Sequence, residues 1–419
     1  MKQSIGLIIL QIISIVLGLV SVFWVAGSLD AQEYAIVGVY HIIISILITF
    51  SNTGIETYAI RNVLAWKDEG KLEQIKLVVT QAITYRTILS CILFLPLLAY
   101  AFYISNYKYD GHHLDLFILM ILLSIPNATN DSIVLILKAF NKYLSASMLN
   151  FIVNVFGRII ALILFVRYGF TVYIYTIVLL PLIILAPFLF KLREYISFKG
   201  VFSKVNLYKS IVESKYFATS SYISFANNYI DQFLVSIFLN PEILGSFTLA
   251  KSIFSMGKTF IENIFDPMIQ NLVRYKIDFV LFKKKLAKIF KIKTIVLTIM
   301  LIGIPIVYFA TAKLLILLNI NHYLHLNNYI NLIYIAIVFS VASKVKFNYI
   351  MLFYSQQYYL KLILISSIAS MIFFIIVNVI DSKLLFLHIL LTNIVMFVYT
   401  ERIFKNPTNP LNNEICSTR

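Results

Sequence analysis

The chain has 419 residues, of which 60% are apolar and only 13% are charged. A soluble domain carries about 45–50% apolar and about 25% charged residues, so this composition excludes an ordinary soluble enzyme. A membrane-spanning helix needs about 20 apolar residues, and the apolar content is therefore sufficient for roughly twelve spans. Thirty-five Lys and Arg against nineteen Asp and Glu give a net charge of +16, and its meaning depends on where these charges lie.

Apolar runs bounded by charge and turn clusters predict twelve membrane-spanning helices. The first six cover residues 4–26, 35–60, 77–104, 114–137, 146–166 and 171–190, and the second six cover 216–238, 245–272, 294–318, 330–354, 362–380 and 384–404. We therefore predict an all-α integral membrane protein. Its parts are an N-terminal six-helix lobe at 1–190, a cytoplasmic linker at 191–215, a C-terminal six-helix lobe at 216–404 and a cytoplasmic tail at 405–419.

Lys and Arg residues are concentrated in alternate loops of this arrangement. The opposite loops carry only Lys108, Arg167 and Lys383. Positive charge favours the cytoplasmic side, so both termini are predicted to be cytoplasmic. Anionic lipid headgroups, and not nucleic acid, are then the expected partner of the excess charge. The basic segment 274–293 suits either an amphipathic helix on the inner membrane surface or a solvated loop.

Polar side chains recur at helical spacing inside several predicted spans. They are His41, Asn52 and Glu56 in the second span, Asn154 and Arg158 in the fifth, Asn227 and Asp231 in the seventh, and Lys251, Lys258 and Glu262 in the eighth. Arg86 adds a charge to the third span. A charge at the bilayer centre costs about 2.5–3.5 kcal/mol, so these charged side chains should face protein or water.

Two interpretations of these residues are open: hydrogen bonding between neighbouring helices, and a water-filled cavity, which so many charges favour. The predicted substrate pathway consists of Arg86, Arg158, Lys251, Lys258, Asn52, Asn154 and Asn227. Ion coupling or charge balance is assigned to Glu56, Asp231, Glu262 and His41. The cations outnumber the anions, which favours an anionic cargo such as a phosphate compound. The last two spans carry almost no charge and are interpreted as scaffold, and neither a cofactor nor a metal site is predicted.

Several stretches of the sequence resemble a known family. LDAQEYAIVGVY at 29–40 and GIETYAIR at 54–61 resemble the start of the second helix in polysaccharide flippases. These form the O-antigen flippase (Wzx) branch of the multidrug/oligosaccharidyl-lipid/polysaccharide exporter superfamily. NNYID at 227–231 and LNPEILGSFTLAK at 239–251 resemble the signature of helices 7 and 8 in the same family. Leu29 and Leu239 stand at equivalent points of the two halves, as do Ala35 and Gly245, as a six-plus-six repeat would leave them.

The resemblance implies two six-helix lobes that form a V about a pseudo-two-fold axis and alternately expose a cavity to each membrane face. It implies a cargo of one O-antigen repeat unit on undecaprenyl pyrophosphate. This cargo would move from the cytoplasmic to the outer leaflet of the bacterial inner membrane. Because the sequence has no phosphate-cradling glycine loop and no P-loop, the energy source is expected to be an ion gradient or the cargo's own gradient. The protein would then be a flippase and not an enzyme, with the lipid-linked oligosaccharide, anionic lipids and other polysaccharide assembly proteins as partners.

Three alternatives stay open at this point. A cation-coupled drug exporter of the same superfamily predicts an apolar pocket dominated by acidic residues. A membrane-embedded polysaccharide polymerase or glycosyltransferase needs a sizeable outer loop that carries catalytic carboxylate or arginine residues. A passive scaffold of a synthesis complex has no need of charges inside the membrane.

Overall fold

The computed structural model describes residues 2–140, 142–270, 272, 279–353 and 356–405. Within these ranges some side chains lie outside the described part, among them those of Asn154 and Asn227. Every regular element in the described ranges is helical, which confirms the predicted all-α class. The chain divides into two compact units, one formed by Met1–Phe225 and Gln232–Gly245 and the other by Ala226–Asp231 and Ser246–Arg419. The lobes at 1–190 and 216–404 and the linker between them stay a prediction.

The first unit is built from helices α1 to α9, with most of α10 and α11. Their bounds are α1 Lys2–Ser28, α2 Ala31–Phe50, α3 Ile55–Asp68, α4 Leu72–Ile92, α5 Phe94–Lys108, α6 Leu114–Ala139, α7 Tyr143–Phe151, α8 Gly157–Tyr168, α9 Phe170–Leu192, α10 Lys204–Asn228 and α11 Ile230–Phe238. A π-helical turn at Ile152–Phe156 joins α7 to α8, and a short 3-10 turn at Arg193–Tyr195 follows α9. Buried aliphatic side chains from α3, α4, α6, α7 and α9 form the core of this unit.

The second unit contains most of α12 and the remaining helices. These are α12 Pro241–Gln270, α13 Phe279–Leu317, α14 Leu326–Phe353, α15 Gln356–Ile380 and α16 Leu387–Lys405, with a 3-10 turn at Ser382–Leu384. A small core cluster joins Ile350, Leu362 and Ile403, which lie on α14, α15 and α16. Apolar side chains also cover the outside, where Ile302, for example, is 64% exposed. Such a surface matches the hydrocarbon of a bilayer better than it matches water.

The motif at residues 29–40 contains the start of α2. The Asp30 side chain accepts a hydrogen bond from the Glu33 backbone N–H at 2.7 Å, and Glu33 Oε2 accepts one from the Asp30 N–H at 3.4 Å. This reciprocal pair is a capping box, which satisfies backbone donors that a helix start otherwise leaves free. The spacing of Asp30 and Glu33 therefore fixes the N-terminus of α2.

The second predicted span, 35–60, is two helices in the structure. α2 ends at Phe50 and α3 begins at Ile55. Gly54 lies in the connection with φ of +77°, and a Cβ there would lie 2.6 Å from the carbonyl oxygen of Ser214 and 2.7 Å from the Ala218 nitrogen. The left-handed backbone and this close approach both require glycine. Polar residues predicted to form one continuous stripe are therefore divided between two helices.

We expect Gly54→Ala to lower the free energy of unfolding by about 2–5 kcal/mol. The alanine adds left-handed strain of about 1–2 kcal/mol and an overpacking cost of about 1–3 kcal/mol. Gly70→Ala is the matched control, because Gly70 has φ of +71° but nothing within 4 Å of an added Cβ. Thermal unfolding in detergent tests the pair. Equal losses of stability in the two variants would show that the close approach at Gly54 contributes nothing.

The basic segment that follows the undescribed residues 273–278 belongs to α13. This helix runs unbroken from Phe279 to Leu317, so its 39 residues extend over about 58 Å, against about 30 Å for the hydrocarbon core. Phe282, Leu286 and Ile289 are buried on one side of its first turns, whereas the lysines at 283–285 and 288 are exposed. The described part of the segment is thus an amphipathic helix continuous with a span, and its contact with anionic lipid stays a prediction.

Among the described residues, eight helical segments are long and apolar enough to cross a membrane. They are Ala31–Phe50, Leu72–Lys108, Leu114–Ala139, Phe170–Phe190, Val280–Leu317, Leu326–Ile350, Tyr359–Asn378 and Leu387–Phe404. The other four predicted spans correspond to α1, the α7–α8 pair, the α10–α11 pair and α12. The charges of α12, which include Lys251, Lys258 and Glu262, explain why that helix is less apolar. The count of twelve spans and the cytoplasmic termini remain predictions.

Candidate functional site

A cavity of about 180 Å³ lies within the first unit. α1, α2, α6, α8, α9 and the π-helical turn contribute its walls, and most of the lining side chains are apolar. The polar lining residues are Ser21, Tyr34, Tyr40, His41, Asn127, Arg158 and Tyr173. Among the residues that the structure describes, no Asp or Glu lines the cavity. Arg158 therefore makes the cavity positively charged.

The π-helical turn before Arg158 helps to place this residue. The turn at Ile152–Phe156 contributes Val153 to the cavity wall, and such turns insert an extra residue into a helix and occur frequently at functional sites. Gly157 comes next, and a Cβ there would lie 2.7 Å from Leu180 Cδ2 on α9. The small residue lets α8 approach α9, the helix that also carries Tyr173.

Arg158 has no hydrogen-bond or ion-pair partner among the side chains that the structure describes. Its guanidinium nevertheless interacts electrostatically with the nearby side chains of Tyr40, His41 and Tyr173. Asn127 Nδ2 lies 3.5 Å from the Tyr40 hydroxyl. A guanidinium without an anion, next to tyrosine hydroxyls and an amide, can bind an anionic group by paired hydrogen bonds.

Arg86 lies in a different environment, at the junction of α2, α3, α4 and α6. Its Nη1 is 2.9 Å from Glu56 Oε1, and its Nη2 is 2.7 Å from Asp131 Oδ2 and 2.7 Å from the Ile48 carbonyl oxygen. Ser132 Oγ donates to Glu56 Oε1 at 2.7 Å. The side chains of Arg86 and Glu56 are 0% exposed. Both residues therefore pair with protein groups, and neither lines the cavity.

Asn52 also pairs with protein groups, and it stabilises the connection between α2 and α3. Its Oδ1 accepts a hydrogen bond from the Gly54 N–H at 2.8 Å, and its Nδ2 donates to Ser221 Oγ at 3.1 Å. The first contact is an Asx-turn, in which the side chain replaces a backbone acceptor. This geometry assigns Asn52 a role in the turn.

The remaining predicted site residues lie in the second unit, in separate ion pairs and hydrogen bonds. Lys251 Nζ pairs with Asp231 Oδ1, and His388 Nε2 lies 3.1 Å from Asp231 Oδ2. Lys344 Nζ pairs with Glu262 Oε1 at 3.0 Å. Elsewhere in the unit, Lys258 Nζ donates to Asn228 Oδ1 at 3.1 Å. Asn154 and Asn227 were also predicted for the substrate pathway, and their side chains lie outside the described part.

Sequence reasoning placed Arg158 and His41 in the candidate site, and the structure brings them to one cavity. It did not identify Tyr40 and Tyr173 as polar lining residues, because tyrosines inside apolar spans give no distinct signal. It also missed His388, which lies in a span that was interpreted as scaffold. The sequence signal that could have identified His388 is the presence of a histidine in an otherwise apolar span.

Comparison with known proteins gives the family of the chain. A family model described as polysaccharide biosynthesis protein matches residues 1–273. The chain belongs to this family. No curated protein matches it. The resemblance noted in the sequence is thereby confirmed at the level of the polysaccharide biosynthesis family, and the O-antigen flippase branch remains a prediction.

Solved structures of MATE transporters share the fold. A mutant of the Vibrio cholerae MATE transporter VcmN is 12% identical with a TM-score of 0.61, and the match covers 100% of this chain and 99% of that one. An inward-facing multidrug resistance MATE transporter of the MOP superfamily is 15% identical with a TM-score of 0.62, over 96% and 98% of the chains. The eukaryotic MATE transporter AtDTX14 is 10% identical with a TM-score of 0.59, over 100% and 95%. The chain is therefore an all-helical, multi-pass membrane protein with a MATE-like fold.

Proposed function

We propose that this protein is a flippase that moves an oligosaccharide linked to undecaprenyl pyrophosphate from the cytoplasmic to the outer leaflet of a bacterial inner membrane. It acts by alternating access through twelve spans with both termini in the cytoplasm, and it forms or breaks no covalent bond in its cargo. The proposed cargo is one O-antigen repeat unit, as in the flippases that the sequence resembles. Anionic lipids and other polysaccharide assembly proteins are its expected neighbours.

The observation that carries this proposal is Arg158, which lines a cavity without an acidic residue and has no partner among the described side chains. A pyrophosphate and a glycan cannot cross about 30 Å of hydrocarbon unaided, because each desolvated polar group costs several kcal/mol. The lipid tail needs no such help. Arg158 supplies a positive charge with a bidentate fork, which matches a phosphate oxygen pair.

The size of the cavity limits what it holds in this structure. An apolar cavity of about 150 Å³ is large enough to hold a benzene molecule, and the 180 Å³ of this cavity is of similar size. That volume suits one phosphate or one part of a sugar, and not a whole oligosaccharide. We therefore propose that this cavity binds the charged group of the cargo, and that the rest of the headgroup enters when the pathway opens.

The same cavity argues against the drug exporter, which needs an acidic pocket for cationic drugs. The polymerase requires a large catalytic loop, and the connections between described helices, such as 109–113 and 318–325, are short. A passive scaffold would gain nothing from Arg158, which has no partner among the described side chains and whose charge costs about 2.5–3.5 kcal/mol in the membrane region.

Binding to the purified protein in detergent tests the cargo class. We expect undecaprenyl pyrophosphate-linked oligosaccharide to raise the melting temperature in a concentration-dependent way, since a ligand that binds only the folded state stabilises it. Undecaprenol of the same tail length, without phosphate or sugar, is the matched control and should give a shift at least about threefold smaller at equal concentration. Equal shifts with both lipids, or a larger shift with a cationic drug, would contradict the proposal.

A further inference from the structure

The N-terminal part of α13 carries a row of lysines on the surface of the second unit. Lys284, Lys288 and Lys291 follow one another at spacings of four and three residues, so they lie within about 60° of one another on one face of the helix. All three are exposed, and none of them has a hydrogen-bond or ion-pair partner among the residues that the structure describes. This lysine row therefore presents three positive charges that no described protein group neutralises.

The charged groups packed near the lysine row do not offset its charge. Glu401 on α16 forms an ion pair with Lys346 on α14. Lys293 lies two residues after Lys291 and adds another positive charge, and its Nζ donates to the Ala342 backbone carbonyl oxygen at 3.4 Å. The described part of this region is therefore strongly basic.

Aromatic contacts on the opposite side of the helix hold this segment against the rest of the unit. Phe282 packs against Tyr349 of α14 with ring centroids 6.5 Å apart, and Phe290 packs edge-on against Phe404 of α16 with centroids 5.7 Å apart. Leu286, between the two phenylalanines, is buried. The backbone that carries the lysine row is thus already ordered, so a ligand that binds the row does not have to order it.

The sequence that follows the lysine row indicates how deep the row lies in the membrane. Residues 294–312 carry no charge, and this stretch of helix extends over about 28 Å, close to the hydrocarbon core of about 30 Å. Lys291 and Lys288 begin about 4 Å and about 9 Å outside this stretch, within reach of lipid headgroups. Ile295 and Ile302 continue the same helix face and are exposed, so the acyl chains of a lipid can lie along it.

We propose that the lysine row of α13 binds the phosphate headgroups of anionic phospholipid in the adjacent leaflet, with the acyl chains along Ile295 and Ile302. Each lysine near a membrane surface strengthens the attraction of anionic lipid by about fivefold. Because the row lies on an exposed helix face, it contacts a headgroup from one side only. Charge, and not shape, then determines the preference, which favours the abundant anionic phospholipid over a scarce lipid-linked oligosaccharide. The site stands whether or not the protein moves the proposed cargo.

The lipid site is tested by quenching of tryptophan fluorescence in vesicles that contain brominated lipid. The chain has two tryptophans, Trp24 and Trp66, and replacing both by phenylalanine in an Ile295→Trp variant leaves one tryptophan next to the lysine row. We expect brominated phosphatidylglycerol to bind beside this tryptophan at least about fivefold more strongly than brominated phosphatidylcholine. The matched control keeps Ile295 and only Trp24, which is exposed on α1, and should give a ratio of about one.

Lysine variants separate the lysine row from the net charge of the protein. Replacing all three lysines of the row by glutamine should lower the ratio to about one. Lys67→Gln, Lys71→Gln and Lys199→Gln together remove the same net charge from exposed positions of the first unit and should leave the ratio unchanged. With the native lysines, raising the salt concentration from about 0.1 M to about 1 M shortens the Debye length from about 10 Å to about 3 Å and should at least halve the ratio.

Equal binding of the two brominated lipids beside Ile295→Trp, with the native lysines in place, would overturn the site, and this result does not depend on the folding of the lysine variants. A preference that survives replacement of the row would overturn it as well. Undecaprenyl phosphate probes the other source of phosphate: if about a tenth as much of it displaced half of the phosphatidylglycerol, the row would bind the cargo lipid and not phospholipid. No transport is measured here, so failure of the lipid site and failure of the proposed function are separate results.

Discussion

Replacing Arg158 by glutamate is expected to lower the rate of cargo transport by at least about a hundredfold. A hydrogen bond to a charged group contributes about 1.5–3 kcal/mol, and the new carboxylate also repels the phosphate that the arginine attracts. The cavity is lined by His41, Tyr40 and Tyr173, and none of its described lining residues is an Asp or Glu that balances the arginine. Loss of the charge should therefore weaken cargo binding more than it weakens the fold. Initial rates in vesicles, with the melting temperature recorded for each variant, test this.

Two further variants separate the role of the guanidinium from a general effect of charge. Arg158→Lys should retain about a tenth of the rate, because lysine keeps the charge but not the bidentate fork. Arg167→Glu is the matched control, since Arg167 is on the same helix, is exposed in its last turn and does not line the cavity. Normal transport by Arg158→Glu, or an equal loss in Arg167→Glu, would contradict the assignment.

Replacing Arg86 by methionine is expected to lower the free energy of unfolding by about 3–5 kcal/mol. The substitution leaves Glu56 and Asp131 without the cation that both of them contact, and breaking a buried ion pair on one side has a cost of this size. The network also fixes the Ile48 carbonyl near the end of α2. Thermal unfolding in detergent measures the effect.

The chain offers a matched control on the same helix and a rescue. Lys76 on α4 pairs with Glu73 at 3.5 Å, but the Glu73 side chain is 81% exposed, so Lys76→Met should cost no more than about 1 kcal/mol. Adding Glu56→Gln and Asp131→Asn to Arg86→Met should recover at least about half of the loss, because the unpaired charges are removed. A stability of Arg86→Met equal to that of Lys76→Met would show that the network contributes little.

The sequence predicted the helical class and most helix positions, because the apolar runs are long and their limits are marked by charges. It did not predict the interruption at 51–54, since this depends on the left-handed backbone of Gly54 and on its approach to Ser214, which is 160 residues later in the chain. The π-helical turn before Arg158 has no sequence signature either. Both features depend on tertiary structure, and both change the positions of the polar residues that the sequence predicted for the site.

The ion-pair partners of the charged residues were harder to predict than the helix faces on which these residues lie. Helical periodicity places Glu56 on a polar face of its helix, but it does not show that Glu56 pairs with Arg86. Asp231 and Lys251 were predicted for different roles, ion coupling and substrate binding, and the structure pairs them. His388 lies in an apolar span, and only the contacts of both its ring nitrogens draw attention to it. The helix face on which a residue lies follows from the sequence of that helix alone. The residue with which it pairs depends on how several helices pack together.

The central claim is that this protein moves a lipid-linked oligosaccharide across a membrane, and the most direct measurement uses vesicles of defined orientation loaded with that lipid on the cytoplasmic-face side. A glycan-specific probe is applied to the opposite face, with and without the protein. The proposal predicts that the glycan becomes accessible only when the protein is present, with unchanged glycan length. Unchanged accessibility together with longer glycans would instead identify a polymerase and would contradict the proposal.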